Sequence, residues 1–215
     1  MMRDAITRNA LVLSLFAVST AAMLAFTNSS TLPQIECNRE QALESSLLEV
    51  MPAENFDNVL LADSISITDP LLGRGEHTVY RARLNGDPAG VVMQATAPDG
   101  YGGAIRLLVG VDQNGVLTGV RMIPPHNETP GLGDAIDVRK SDWITRFTGL
   151  SLSNPSESGW AVKKDGGEFD AFTGATITPR AVVGAVYRSL QYVSREQEAL
   201  FALPADADHQ GSCDD

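Results

Sequence analysis

The sequence predicts an α+β protein: an antiparallel-rich sheet with flanking helices, preceded by one N-terminal transmembrane helix. Three observations carry this. No charged residue occurs from Asn9 through Ile35, and residues 10–26 are mostly Leu, Val, Ala, Phe and Met. Short runs between Thr78 and Ile123 read as strands bounded by turn residues. After Pro179, Ala181, Val182, Ala185, Val186, Leu190 and Val193 recur at helical spacing. Strands first, with helices around and after them, is the order of an α+β domain.

The N-terminal segment comes first. A membrane span needs about 20 apolar residues. Residues 10–26 reach the short end of that range, and Asn28, Ser29 and Ser30 extend into the interface. Arg3 and Arg8 precede the span, and Glu36 is the first acidic residue after it. By the positive-inside rule the N-terminus stays cytoplasmic and the bulk of the chain lies across the membrane. The competing reading is a cleaved signal peptide. Its nearest cleavage-like triplets, Thr20-Ala21-Ala22 and Met23-Leu24-Ala25, are not clean Ala-x-Ala sites, so an uncleaved anchor is expected. Glu36 directly before Cys37 argues against a lipoprotein, which needs a small residue there.

Asn38 with Gln41 resembles a capping box, and Leu43, Leu47, Leu48 and Met51 give one apolar helical face, ended by Pro52. Residues 53–74 are irregular. Thr78–Leu84 alternates, Asn85-Gly86 is a strong hairpin signal, and Gly90–Thr96 is a second strand. Ile105–Val111 is a third, and Asp112-Gln113-Asn114-Gly115 turns the chain into a fourth over Val116–Ile123. Pro124–Gly133 is a Pro- and Gly-rich loop. Ser141–Phe147 reads as a short helix capped by Ser141, with Trp143, Ile144 and Phe147 on one face. Trp160–Gly167 reads as a strand running into a turn. A long helix from Pro179 to Ala202 closes the domain. The end carries Asp206, Asp208, Asp214 and Asp215 without a Lys or Arg, so a disordered acidic tail is expected. The division is an anchor at 1–35, a linking helix and connector at 36–70, the main domain at 71–202 and the tail at 203–215.

Composition removes several functions. A net charge of −11 makes a poor nucleic-acid binder. The two cysteines, Cys37 and Cys213, form no Cys-x-x-Cys, which removes support for an iron–sulfur or zinc site. Both lie in end segments, and no disulfide between them is expected. His77, His126 and His209 are scattered without metal-ligand spacing. His126 stands out because it lies two residues before Glu128. There is no Gly-x-Ser-x-Gly and no Ser/His/Asp constellation, so a secreted hydrolase ranks last.

The chemistry concentrates in Asp170-Ala171-Phe172-Thr173-Gly174-Ala175-Thr176, followed by Ile177-Thr178-Pro179 and the long helix. Thr178 is suited to the N-cap, with Pro179 at the first helical position. The N-terminus of a helix offers unpaired N–H groups and positive potential to an anion. Gly174 and Ala175 keep the approach clear of bulk. A hydroxyl beside an anion site suits a phosphate held on a threonine or joined to it.

Asp-x-x-Thr-Gly-Ala-Thr is similar to the acceptor motif of flavin transferases, in whose substrates the last threonine carries FMN through a phosphoester. Glu128-Thr129-Pro130-Gly131-Leu132-Gly133-Asp134 resembles the second signature of the FMN-binding domain in the Rnf and Nqr ion-pumping redox complexes. Gly100-Tyr101-Gly102-Gly103, Lys140-Ser141-Asp142-Trp143 and Asp165-Gly166-Gly167 fit the same family, over roughly residues 71–193. With its anchor, the chain resembles the G subunits of the Rnf complexes.

The resemblance implies covalent FMN on Thr176. Thr173 and Thr178 are hydroxyls near the phosphate or ribityl chain, with local capping as their other reading. It implies that the flavin transferase reads Asp170. It puts Glu128, Thr129, Leu132 and Gly133 against the isoalloxazine. Trp143 and Tyr101 are aromatic residues able to stack on it, or to serve as core. It implies a single-pass subunit of the bacterial inner membrane with a periplasmic domain. Such a subunit relays electrons with partner subunits in an ion-translocating complex and has no catalytic residue of its own. The competing function is a flavin-free extracytoplasmic binding or assembly module.

Overall fold

Five consecutive strands pair in sequence order, each antiparallel to the next: β1 (Ser64–Ile67), β2 (His77–Leu84), β3 (Asp87–Ala97), β4 (Ile105–Asp112) and β5 (Leu117–Met122). The computed structural model describes the backbone of residues 2–206 and the side chains from Ile6 onward. The β2–β3 hairpin turns at Asn85 and Gly86, with φ of 54° and 87°. Two adjacent positive φ values are what a tight hairpin turn demands, and Asn and Gly tolerate them. The β3–β4 register runs from Gly90 opposite Asp112 to Ala97 opposite Ile105. β1, inside the stretch expected to be irregular, pairs Ser64 with Tyr80 through Ile67 with His77.

The sheet is covered on both faces. Val91, Met93, Ala95 and Ala97 of β3 and Leu107, Val109 and Val111 of β4 share a buried core with Val182, Val186, Leu190 and Val193 of the long C-terminal helix α2 (Ile177–Ala202). The opposite face receives the end of the N-terminal helix α1 (Met2–Val50). A Cβ on Gly110 would come within 2.6 Å of Val50 Cγ1, and one on Gly119 within 2.9 Å of the Val50 carbonyl. Glycine at these two strand positions lets the last turn of α1 lie directly on the sheet backbone.

α1 is continuous, which corrects the expected restart at Asn38. Asn38 is inside the helix, where its Oδ1 accepts from Gln34 Nε2 at 3.1 Å instead of capping a new one. Two compact units divide between Leu43 and Glu44, so residues 44–50 belong to the globular unit. In the N-terminal unit Leu11, Leu13, Phe16, Met23 and Phe26 are all exposed. Among the described residues, α1 is the one helix long and apolar enough to cross a membrane. The expectation that Cys37 and Cys213 do not pair rests on Cys213. Cys213, the only other cysteine in the sequence, lies outside the described residues, as do His209 and most of the acidic tail.

Between β5 and α2 the chain is built from short 3₁₀ turns at Gly133–Ile136, Trp143–Phe147, Glu157–Gly159 and Lys163–Asp165. The short helix expected over Ser141–Phe147 is the 3₁₀ turn, and its N-cap is Asp142, which makes no side-chain capping bond; Ser141, expected as the cap, lies one residue earlier, where its Oγ accepts from the Trp143 N–H at 3.1 Å. Trp160–Gly167 is not a strand. It contains a 3₁₀ turn, and Val162 makes one isolated bridge to Phe169.

The end of α2 is locked to the sheet by Arg81, which is only 2% exposed. Its guanidinium pairs with Asp63 and donates to the carbonyls of Leu200 at 3.0 Å and Leu203 at 2.5 Å. The Asp206 N–H donates to the Ser64 carbonyl at 2.8 Å. Residues 203–206, assigned to the tail from sequence, are therefore held against β1 and β2.

Candidate functional site

The turn that opens the site is dictated by glycine. Ala175 N–H donates to the Phe172 carbonyl at 3.0 Å, closing a four-residue turn with Gly174 third, at φ 82°. Positive φ at that position is the type II requirement that glycine meets without strain. The turn delivers Thr176 to the start of α2. Thr176 is the N-cap residue, yet its side chain makes no capping hydrogen bond. Its hydroxyl thus stands at the positive end of a 26-residue helix without serving that helix.

Thr178 is not the N-cap. It lies inside the first turn, fully buried, and its hydroxyl donates to Glu128 Oε2. A carboxylate is a stronger acceptor than any group the helix offers. Pro179 is the third helical residue, where the missing N–H still costs no helical bond.

Glu128 is 5% exposed. Its other oxygen, Oε1, accepts from the Gly102 N–H at 3.0 Å. One carboxylate thereby joins the 100–103 loop, its own loop and the start of α2. Its backbone N–H donates to His126 Nδ1 at 3.3 Å, which gives His126 a local structural role. Gly133 packs into the same junction. A Cβ there would meet Glu128 Oε2 at 2.5 Å and Thr178 Oγ1 at 2.9 Å.

These contacts wall a cleft of about 230 Å³. Glu128, Thr129, Leu132 and Gly133 form one side, and Gly174, Ala175, Thr176, Ile177 and Thr178 the other, with Tyr101 at the edge. The two signatures, some forty residues apart in sequence, face each other across it. Thr173 is exposed at the tip of the turn and does not line the cleft. Neither do Asp170 and Trp143. Trp143 is a buried core residue, edge-on to Phe147 and Phe172, with its indole N–H given to the Asp170 carbonyl at 2.8 Å. The sequence reading missed Ile177 as a wall and the Gly102 N–H as the second donor to Glu128. Ile177 was legible as an apolar residue directly after Thr176. A backbone N–H leaves no mark in sequence. Among the described residues no His, Cys, Asp and Glu cluster could hold a metal.

The residues suit an FMN. Thr176 and the helix start answer a phosphate, and Leu132, Ile177 and Tyr101 offer apolar surface to a ring. The cleft falls below the roughly 300–1,000 Å³ of pockets that enclose a small molecule. A cleft of this size has room for part of a flavin only.

Comparison with known proteins agrees with this geometry. Residues 100–191 match the family model of the FMN-binding domain, and residues 1–50 match that of the RnfG N-terminal region. The G subunit of the ion-translocating oxidoreductase complex of Escherichia coli is 47% identical over 95% of this chain and 98% of its own length. Proteins of the same description are 46% identical in Pseudoalteromonas atlantica, over 94% of each chain, and in Pseudomonas aeruginosa, over 97% of this chain and 98% of theirs. With near-complete coverage on both sides and both family regions in place, the chain belongs to the family of ion-translocating oxidoreductase complex G subunits.

Proposed function

We propose that this chain is a membrane-anchored flavoprotein subunit that carries FMN in phosphoester linkage to Thr176. It relays electrons between partner subunits of a membrane complex that couples electron transfer to ion translocation. The observation that carries the reading is the uncommitted Thr176 hydroxyl at a helix N-terminus, inside the cleft where both signatures meet. The FMN supplies electron-transfer chemistry when bound. The protein supplies the rest. The start of α2 stabilises the retained phosphate charge. Glu128 fixes the two walls relative to each other. Leu132, Ile177 and Tyr101 present apolar surface to the ring. A half-open cleft holds a ligand weakly, and a covalent bond keeps the cofactor there whatever the affinity.

α1 serves as a single-pass inner-membrane anchor with its N-terminus cytoplasmic and the flavin domain periplasmic, supported by Arg3 and Arg8 before the apolar segment. A flavin transferase is required for maturation.

The test is intact-mass measurement of the full-length protein coexpressed with a flavin transferase. One FMN phosphoester is expected on the wild type and none on Thr176→Ala. An unmodified wild type would favour a flavin-free assembly module, and an unchanged adduct in Thr176→Ala would put the attachment elsewhere. N-terminal sequencing of the membrane-extracted protein tests the anchor. A start near Met23 or Phe26 would mean a cleaved signal peptide.

A further inference from the structure

Asp170 opens the acceptor motif, yet its three oxygen atoms are occupied within the chain. Oδ1 accepts from Lys163 Nζ at 2.6 Å, and Oδ2 is paired with Arg146 Nη1. Its carbonyl accepts the Trp143 indole N–H at 2.8 Å. The neighbouring residues are held from the same elements. The Lys163 N–H donates to the Phe169 carbonyl at 2.7 Å, and Phe172 packs edge-on against Trp143 at 5.2 Å. The chain is thus gripped from Phe169 through Phe172, immediately before the 172–175 turn that presents Thr176. In the motif itself, Thr173 and Gly174 are the exposed residues.

We infer that Arg146 and Lys163 are positioning residues for attachment at Thr176: they act through Asp170, which serves as an internal clasp for the acceptor turn. This rests on Thr176 being the acceptor. It differs from the role the family resemblance implies, in which the modifying enzyme reads the Asp170 carboxylate. Here the carboxylate closes two ion pairs of its own chain, and the enzyme meets a turn already shaped. The Lys163 ammonium, with the Arg146 guanidinium, also holds the Asp170 carboxyl below the usual carboxylate range, consistent with a permanently engaged group.

The two readings differ in sign. If the carboxylate is read directly, removing its basic partners frees it, and modification proceeds at least as fast. If it is a clasp, removing the partners is equivalent to removing the carboxylate. The experiment follows the flavin-adduct fraction by intact mass through an induction time course, with the full-length protein and a flavin transferase. Asp170→Asn alone and Arg146→Gln with Lys163→Gln are each expected to slow attachment about three- to tenfold, the scale on which two half-exposed ion pairs act. The triple variant should be no slower than the slower of these, because the changes remove one and the same interaction. Arg146→Lys with Lys163→Arg should restore the wild-type rate. Hydrogen exchange at the Ala175 amide, which closes the turn, should accelerate in the slow variants while exchange in the middle of α2 does not change. Attachment at wild-type rate or faster in the Arg146→Gln/Lys163→Gln variant would overturn the inference, as would slowed attachment with unchanged Ala175 exchange. Failure of the Thr176 reading is seen separately, as a wild type without adduct or a Thr176→Ala variant with one.

Discussion

Gly133 has no room for a side chain, and the atoms that exclude one are the two oxygens that hold the cleft together. Gly133→Val drives a branched side chain between Glu128 and Thr178. Overpacking of this kind costs about 1–3 kcal/mol. The attached flavin should remain, because attachment depends on the Thr176 region, while its absorption spectrum and midpoint potential shift. A spectrum and potential identical to wild type would take the Glu128–Gly133 loop out of the site. Thr178→Val tests the same junction from α2. It leaves the Glu128 carboxylate buried with one donor instead of two, and should lower stability by about 1–3 kcal/mol in urea unfolding. No loss would mean that Glu128 is satisfied without Thr178.

At the scale of elements, Arg81 fastens α2. Arg81→Met removes the donor to Leu200 and Leu203 and leaves Asp63 with Arg83 alone, at 2.6 Å. Breaking a buried pair from one side costs about 3 kcal/mol. Hydrogen exchange should rise first in the last turn of α2, and uniform exchange along the helix would contradict the fastening. Strands β2 to β5 were legible because their apolar positions are regular and Asn85-Gly86 fixes one hairpin. β1 was not, since Ser64-Ile65-Ser66-Ile67 alternates over only four residues, too short a run to stand out from the irregular stretch around it, and the strand exists by its pairing with β2. The segment from Trp160 to Gly167 was misread as a strand because its aromatic and β-branched residues serve a core of rings, where Trp160 packs on Phe147, Phe169 and Tyr187. Most of the residues that line the cleft lie in the two signatures seen in the sequence. The direction of the Thr178 side chain was not legible, because a carboxylate fifty residues away in sequence outcompetes the local helix for its hydroxyl.

The whole molecule is built to lose stability on acidification. Burial pushes the pKa of His77, 4% exposed, below its ordinary value. The folded state then binds fewer protons than the unfolded chain once pH drops below about 6.5. The stability linked to His77 is complete above that pH and is lost as pH falls toward the folded-state value. Asp137, Asp165 and Asp170 are held low by Arg139, Arg180 and Lys163 respectively, and act in the same direction below about pH 4. The urea midpoint of the full-length protein in detergent should therefore decline between pH 7.5 and 5.0, and His77→Gln should flatten that decline. An equal decline in the variant would assign it to other groups.

The clasp of Arg81 on the carbonyls of Leu200 and Leu203 also sets an order of assembly. Every strand pairing joins sequence neighbours, so the sheet is made of short loop closures that form quickly. Arg81, by contrast, waits for acceptors 119 and 122 residues later in the chain. The wall of the cleft that bears Thr176 belongs to the same late helix. The cleft is accordingly among the last features to exist in a newly made chain. If FMN is joined to Thr176 as proposed, its presence marks a molecule whose C-terminal helix has already come home.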